Sequence, residues 1–131
     1  EAGMNLYGQD MDESVTPMEA GLTWTVDMRG DRDFIGRRAL QIRVLRVQLL
    51  GLVLKEKGVL RSHQSARSAH GAGEVTSGSF SPTLGQSIAL ARLPLEAKPG
   101  ESVEVDIRGR WLLAKVVKYP FVRMGKSLLP T

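Results

Sequence analysis

The 131-residue sequence has no cysteine and only two histidines, His63 and His70. Without thiols there is no disulfide framework, no thiolate nucleophile and no cysteine-based zinc site. The histidines stand in a stretch where only Glu74 offers a further ligand, short of the three or four convergent groups a metal needs, so no metal site is expected. Long apolar runs are missing too. The longest, around Val47–Leu54, is interrupted by Gln48 and Gly51 and falls far below the ~20 residues of a membrane-spanning helix. The opening Glu1–Asp10 carries neither a basic nor an apolar leader block, so no secretory signal is expected and the chain reads as an excised piece. Aromatic residues amount to 5%, and Phe80, Trp111, Tyr119 and Phe121 form no cluster of the kind that stacks on bases, so nucleic acid is not an expected partner.

What is present is a chain 42% hydrophobic, long enough for one domain or one and a fraction. Its net charge of +4 is unevenly spread. Residues 1–40 hold eight acids and four bases, whereas 41–131 hold six acids and fourteen bases. The change of sign near residue 40 points to two regions of different origin.

Patterning divides the chain at about the same place. Residues 1–16 are irregular, and Asp10, Asp12 and Glu13 read as a solvated acidic loop, because a calcium loop would need glycine where Val15 stands and glutamate where Gly21 stands. Leu22, Trp24, Val26 and Met28 alternate with polar residues and predict a strand with one buried face. Asp33 is placed to cap a helix over about 34–46. Beyond it, strands are predicted near 49–55, 74–79, 87–92, 102–108 and 111–118, with a tight turn at Gly109-Arg110. Residues 62–73 lack periodicity and predict an exposed, mobile loop. Ser77, Ser79 and Ser81 lie outside any nucleophile elbow and read as turn or strand-end serines, and Gly71-Ala72-Gly73 lacks the Lys-Ser/Thr of a phosphate loop. Spacing alone therefore gives a mostly β domain without a catalytic constellation.

Three segments carry a more specific signal: Gly3-Met4-Asn5-Leu6-Tyr7-Gly8-Gln9-Asp10-Met11-Asp12-Glu13, Asp33-Phe34-Ile35-Gly36-Arg37, and Thr76-Ser77-Gly78-Ser79-Phe80-Ser81-Pro82-Thr83-Leu84-Gly85. With Lys57-Gly58-Val59-Leu60-Arg61 and Pro120-Phe121-Val122-Arg123 in the same order, the chain resembles the C-terminal third of the glycine cleavage T-protein family, the tetrahydrofolate-dependent aminomethyltransferases. The resemblance implies a mainly β fold, an antiparallel Greek-key or jelly-roll-like barrel of about six strands. It divides the chain into 1–46, the end of a folate-binding domain contributing a strand and short helix, 47–127, the C-terminal β-barrel, and a tail at 128–131.

The activity implied is that of the whole enzyme: transfer of the methylene of a lipoyl-bound aminomethyl group to tetrahydrofolate with release of ammonia. Its partners are the lipoyl carrier (H) protein and the chain's own N-terminal domains, in a bacterial cytoplasm. The family's catalytic aspartate and pterin-gripping residues lie upstream, so no catalytic residue is expected here and the piece alone is expected to be inactive. Trp24 and Arg123 match folate-lining positions of the family, and Met4 falls near another. The alternatives are a core tryptophan, a surface ion pair for the arginine, and core packing for the methionine. Three other readings remain: a folate-linked sarcosine or dimethylglycine demethylase, a non-catalytic folate-binding protein of iron–sulfur maintenance, whose cysteine position here is Asn5, and a purely buttressing barrel. Relatives carry an apolar strand where 63–70 is short and polar, which puts one barrel strand in doubt.

Overall fold

The computed structural model describes residues 1–130; Thr131, the last residue of the expected tail, lies outside the described residues. Six strands, β1 (Val47–Leu54), β2 (Ser65–Ser68), β3 (Gly71–Ser81), β4 (Gln86–Pro94), β5 (Ser102–Ile107) and β6 (Arg110–Val117), close into a barrel in the order β1-β4-β3-β2-β5-β6. All neighbours are antiparallel. β2, β3 and β4 follow one another and β1 returns beside β4, which is Greek-key connectivity. A two-stranded ribbon, β7 (Val122–Arg123) and β8 (Lys126–Ser127), follows the barrel.

The apolar run of β1 is buried on both faces. Leu50, Leu52 and Leu54 point into the barrel with Val75, Ala89, Ala91, Leu93, Val103, Val105, Ala114 and Val116. Leu49 and Val53 join Ile88, Leu90 and Val117 on the outside, where Phe121, Val122, Tyr119 and Leu129 cover them. The two residues that break the run in sequence each have a place. The Gln48 amide donates to the carbonyls of Leu95 and Ala97, both at 2.8 Å. Gly51 lies so close to Phe121 that a Cβ there would sit 2.9 Å from the ring.

The predicted strands at 49–55, 74–79, 87–92, 102–108 and 111–118 correspond to β1, β3, β4, β5 and β6. The tight turn lies one residue earlier than expected, at Arg108-Gly109, both with positive φ (55° and 83°), as a two-residue hairpin with right-handed strand twist requires. Ser77 and Ser79 lie within β3 rather than at a turn, and Gly78 between them is needed for space, since its Cβ would collide with the Leu60 backbone.

Three expectations are corrected. The mobile loop of 62–73 is a hairpin: β2 pairs with β3 from Ser65↔Glu74 to Ser68↔Gly71, and the strand placed in doubt is present. Ala66 is the only β2 side chain facing the core, too small a signal to show as alternation. The hairpin is also tied from outside, where Arg67 forks onto Glu104 (3.1 and 3.3 Å) and lies 4.1 Å over the Trp111 ring. The strand of 22–28 is absent. A 3₁₀ turn, Thr23–Thr25, stands there, closed by the Thr25 hydroxyl on the Leu22 carbonyl (2.6 Å), because no strand lies alongside for it to pair with among the described residues. The helix expected over 34–46 shrinks to α1 (Arg37–Ile42), capped by Gly36 at φ 92° rather than by Asp33. Arg37 replaces a cap as organiser, donating to the carbonyls of Gly30 (2.7 Å), Met28 (3.2 Å) and Arg32.

Leu52 has no exposed surface, and Leu52→Ala should cost about 2–5 kcal/mol, read as a lowered urea midpoint. Gly78→Ala should destabilise by forcing residues 60–61 off β3, and loss of amide protection at 60–61 by hydrogen exchange checks the mechanism separately from the midpoint.

Candidate functional site

Residues 1–46 contain just three buried side chains, Asp10, Glu19 and Ala20, and so hold their shape by attachment to the barrel. The attachment is polar and begins at β3. Its register shifts between Val75 and Ser77, leaving Thr76 as an extra residue of a bulge. The hydroxyls of Thr76 and Ser77 both donate to Asp10 Oδ1, at 2.5 and 2.7 Å, while Asp10 Oδ2 accepts the Leu6 N–H at 2.8 Å. Arg92 on β4 donates to the main-chain carbonyls of Asp10 (2.9 Å) and Glu19 (3.4 Å). Asp10, with 1% of its surface exposed, is thus a buried carboxylate whose acceptors are filled by three donors, and the solvated acidic loop is corrected at this residue. Sequence reasoning missed it because the donors lie 66 and 67 positions away. The available signal was a pair of adjacent hydroxyl residues, Thr76-Ser77, in a strand.

Two further clamps secure this strap. At its start the Glu1 carboxylate accepts the Ser81 hydroxyl (2.5 Å) and the N–H of Thr83 (3.1 Å), which lower its pKa, and the Glu1 carbonyl accepts the Phe121 N–H at 2.9 Å. Farther on, Thr16 and Glu19 form a reciprocal box: Glu19 Oε1 accepts the Thr16 N–H and hydroxyl (3.0 and 2.9 Å), and Thr16 Oγ1 accepts the Glu19 N–H (3.3 Å). Arg43 closes on the same carboxylate at 3.1 Å. Burial alone would raise the Glu19 pKa, but the Thr16 hydrogen bonds and the Arg43 charge outweigh it and hold it below the ordinary 4.5.

Of the expected ligand residues, Met4 and Trp24 lie on the strap and Arg123 on β7. Within this chain Trp24 is 83% exposed and Met4 81%, so neither packs in the barrel core. Arg123 is exposed on β7 and forms no ion pair with any described carboxylate. No described cleft is lined by all three residues, though the backbones near Met4 and Trp24 pass the same side chain. Gly3, next to Met4, and Gly21, three residues before Trp24, both back onto the Tyr119 side chain, and Arg123 follows four residues later. A cleft of about 270 Å³ between strap and barrel is lined by Met4, Leu6, Ile88 and Phe121 among others. Tyr119 is partly buried beneath Gly3 and Gly21, and desolvation, then the nearby Asp10 charge, push its hydroxyl pKa up.

On another side of the barrel, Lys57, Arg61, Arg108 and Arg110 frame a cleft of about 430 Å³ floored by Val59, Ile107 and Leu112, and none of the four is in a salt bridge with a described residue. The histidines stand apart from both clefts' chemistry, each held by a glutamate: His63 Nδ1 to Glu74 at 2.9 Å and His70 Nε2 to Glu101 at 3.1 Å. Among the described residues no group of His, Asp and Glu is arranged to hold a metal ion. No described helix is long and apolar enough to cross a membrane.

A closed Greek-key barrel that grips a polar-clamped strap, with Trp24 and Arg123 presented outward, defines a barrel-domain fold. Residues 48–123 match the family model described as the glycine cleavage T-protein C-terminal barrel domain, and the chain belongs to that family. It is 59% identical to an aminomethyltransferase of Nitrosomonas eutropha and 61% identical to one of Ralstonia pickettii, in each case over 98% of this chain and 37% and 35% of the relative. The chain thus spans about a third of the length of these relatives. Among solved structures it is similar to the glycine cleavage system aminomethyltransferase T from Bartonella henselae, with a TM-score of 0.75 and 26% identity over 92% of this chain and 36% of that one.

A carboxyl held below its ordinary pKa contributes stability above that value and loses it as pH falls through the folded-state pKa. Glu19→Gln should therefore lower stability at neutral pH and flatten its decline below about pH 4.5, measured as urea midpoints against pH.

Proposed function

We propose that this chain is the C-terminal part of a tetrahydrofolate-dependent aminomethyltransferase of the glycine cleavage system. The reading is carried by identity near 60% across 98% of the chain to proteins of that name. In it, residues 1–46 are the end of the folate-binding domain, 47–127 are the buttressing barrel, and 128–131 are the terminal tail. The aminomethyltransferase names of the relatives set it ahead of a demethylase.

The reaction passes a methylene from the lipoyl-bound aminomethyl group to tetrahydrofolate and releases ammonia. This chain's residues bind and orient rather than move protons. Trp24 offers an exposed indole face for the flat rings of the cosubstrate, Met4 an adaptable apolar contact, and Arg123 a planar fork for a glutamate carboxylate. The buried Asp10 network fixes the strap on which Met4 lies, so it sets where that contact falls without touching the ligand.

The upstream domains cover the outward apolar face of residues 1–46, where Ile35, Ile42 and Val44 stand exposed. The lipoyl carrier protein is the macromolecular partner, and the cationic cleft at Lys57 and Arg108 suits the approach of a partner with an acidic surface. The reading places the enzyme in a bacterial cytoplasm.

In the full-length protein, tetrahydrofolate should quench tryptophan fluorescence, and Trp24→Ala should abolish that component and weaken folate binding about tenfold, the scale of one lost aromatic stack. Unchanged affinity in the Trp24→Ala protein would remove Trp24 from the site.

A further inference from the structure

Tyr119 meets the strap at two points distant in sequence. Gly3 and Gly21 both have positive φ (69° and 71°), and both turn the side that lacks a Cβ toward the Tyr119 side chain. A Cβ at Gly3 would stand 2.8 Å from Tyr119 Cδ2, and one at Gly21 would collide with the Tyr119 hydroxyl. The ring therefore lies lengthwise under the strap. Its root backs the segment that carries Met4, and its hydroxyl end backs the segment that leads to Trp24. The same two segments are joined directly, since the Asn5 amide donates to the Ala20 carbonyl at 2.8 Å.

This support is firm on both sides. Tyr119 packs on the outer apolar cluster beside Leu49 and Phe121, and the Phe121 N–H is held by the Glu1 carbonyl at 2.9 Å. Ala20, the residue before Gly21, is 1% exposed. Between Gly21 and Trp24 the backbone is closed by hydrogen bonds, from the Leu22 N–H to the Pro17 carbonyl (2.7 Å) and from the Thr25 N–H and hydroxyl to the Leu22 carbonyl (2.9 and 2.6 Å). A shift at Gly21 thus carries the 3₁₀ turn Thr23–Thr25 with it. With 83% of its surface exposed, Trp24 has little packing in this chain to correct that shift.

We propose that Tyr119 is a positioning residue of the folate site: its hydroxyl sets the height of the Gly21 segment, and so where the Trp24 indole meets the flat rings, without touching the ligand. The inference rests on the folate reading given under Proposed function. It adds to that reading a residue that acts through another. Tyr119→Phe isolates the effect, because it removes the hydroxyl that abuts Gly21 while the ring stays against Gly3 and in the outer apolar cluster.

The test is a double-mutant cycle in the full-length enzyme, with tetrahydrofolate dissociation constants measured by calorimetry for the unmodified protein, Tyr119→Phe, Trp24→Ala and the double variant. Tyr119→Phe should weaken binding about three- to fivefold when Trp24 is present and leave it unchanged when Trp24 is already alanine. Thermal midpoints of the four proteins supply the second readout. There Tyr119→Phe should have the same effect in both backgrounds, because its packing does not involve the indole. Equal weakening of binding in the two backgrounds overturns the proposal and leaves the folate reading standing, as does a Tyr119→Phe protein of unchanged affinity. Midpoint shifts that differ between the backgrounds place the coupling in folding and also overturn it. Unchanged affinity in Trp24→Ala removes Trp24 from the site and this inference with it.

Discussion

The structure depends on one constraint: β1 is apolar on both faces, and a closed barrel can bury only one of them. The outer residues Leu49 and Val53, with Ile88, Leu90 and Val117 beside them, must be covered by chain from outside the barrel. The segment that does so runs through Tyr119, Phe121 and Val122, and its position is set by the missing side chain at Gly51. Burying a large apolar side chain stabilises by roughly 1.5–3 kcal/mol, so sealing this second layer is comparable in worth to several interior contacts. The path of the segment leading to the terminal ribbon follows from where that seal lies.

The seal gives the N-terminal strap a place to dock, and the docking is then made by polar groups. A buried carboxylate with three donors is costly to leave half-satisfied and directional when complete, so Asp10 specifies one position of the strap where an apolar contact would allow sliding. The bulge at Thr76 is what brings two consecutive strand residues to the same carboxylate, a geometry that regular pleating forbids. Apolar burial thus supplies adhesion on one side of the strap's path and hydrogen bonding supplies its register on the other. The consequence is that Met4, Trp24 and Arg123, far apart in sequence, are carried by segments meeting around Tyr119.

The barrel was largely legible because β5 and β6 keep a period of two in the sequence, while β1 and β4 are short apolar runs buried on both faces. β2 was not, because its single inward residue is alanine and its ties are His63, Arg67 and His70 to glutamates elsewhere in the chain. The false strand at 22–28 shows the converse: Leu22, Trp24, Val26 and Met28 alternate in sequence, yet a 3₁₀ turn stands there with Trp24 outward and the other three partly covered. The candidate ligand residues came from resemblance, since exposed residues carry no periodic signal. Asp10 was hidden by its own success, since an acid near two others in sequence reads as solvated until its partners on β3 are known.

The clamp at Glu1 joins the first residue to two regions at once, through its side chain to Ser81 and Thr83 and through its carbonyl to Phe121. A load applied along the chain from that point does not peel the strap away one bond at a time. It enters the barrel in shear, divided between the end of β3 and the segment leading to the terminal ribbon, and these bonds must fail together. The segment leading to the ribbon is therefore joined directly to position 1 through the Phe121 N–H.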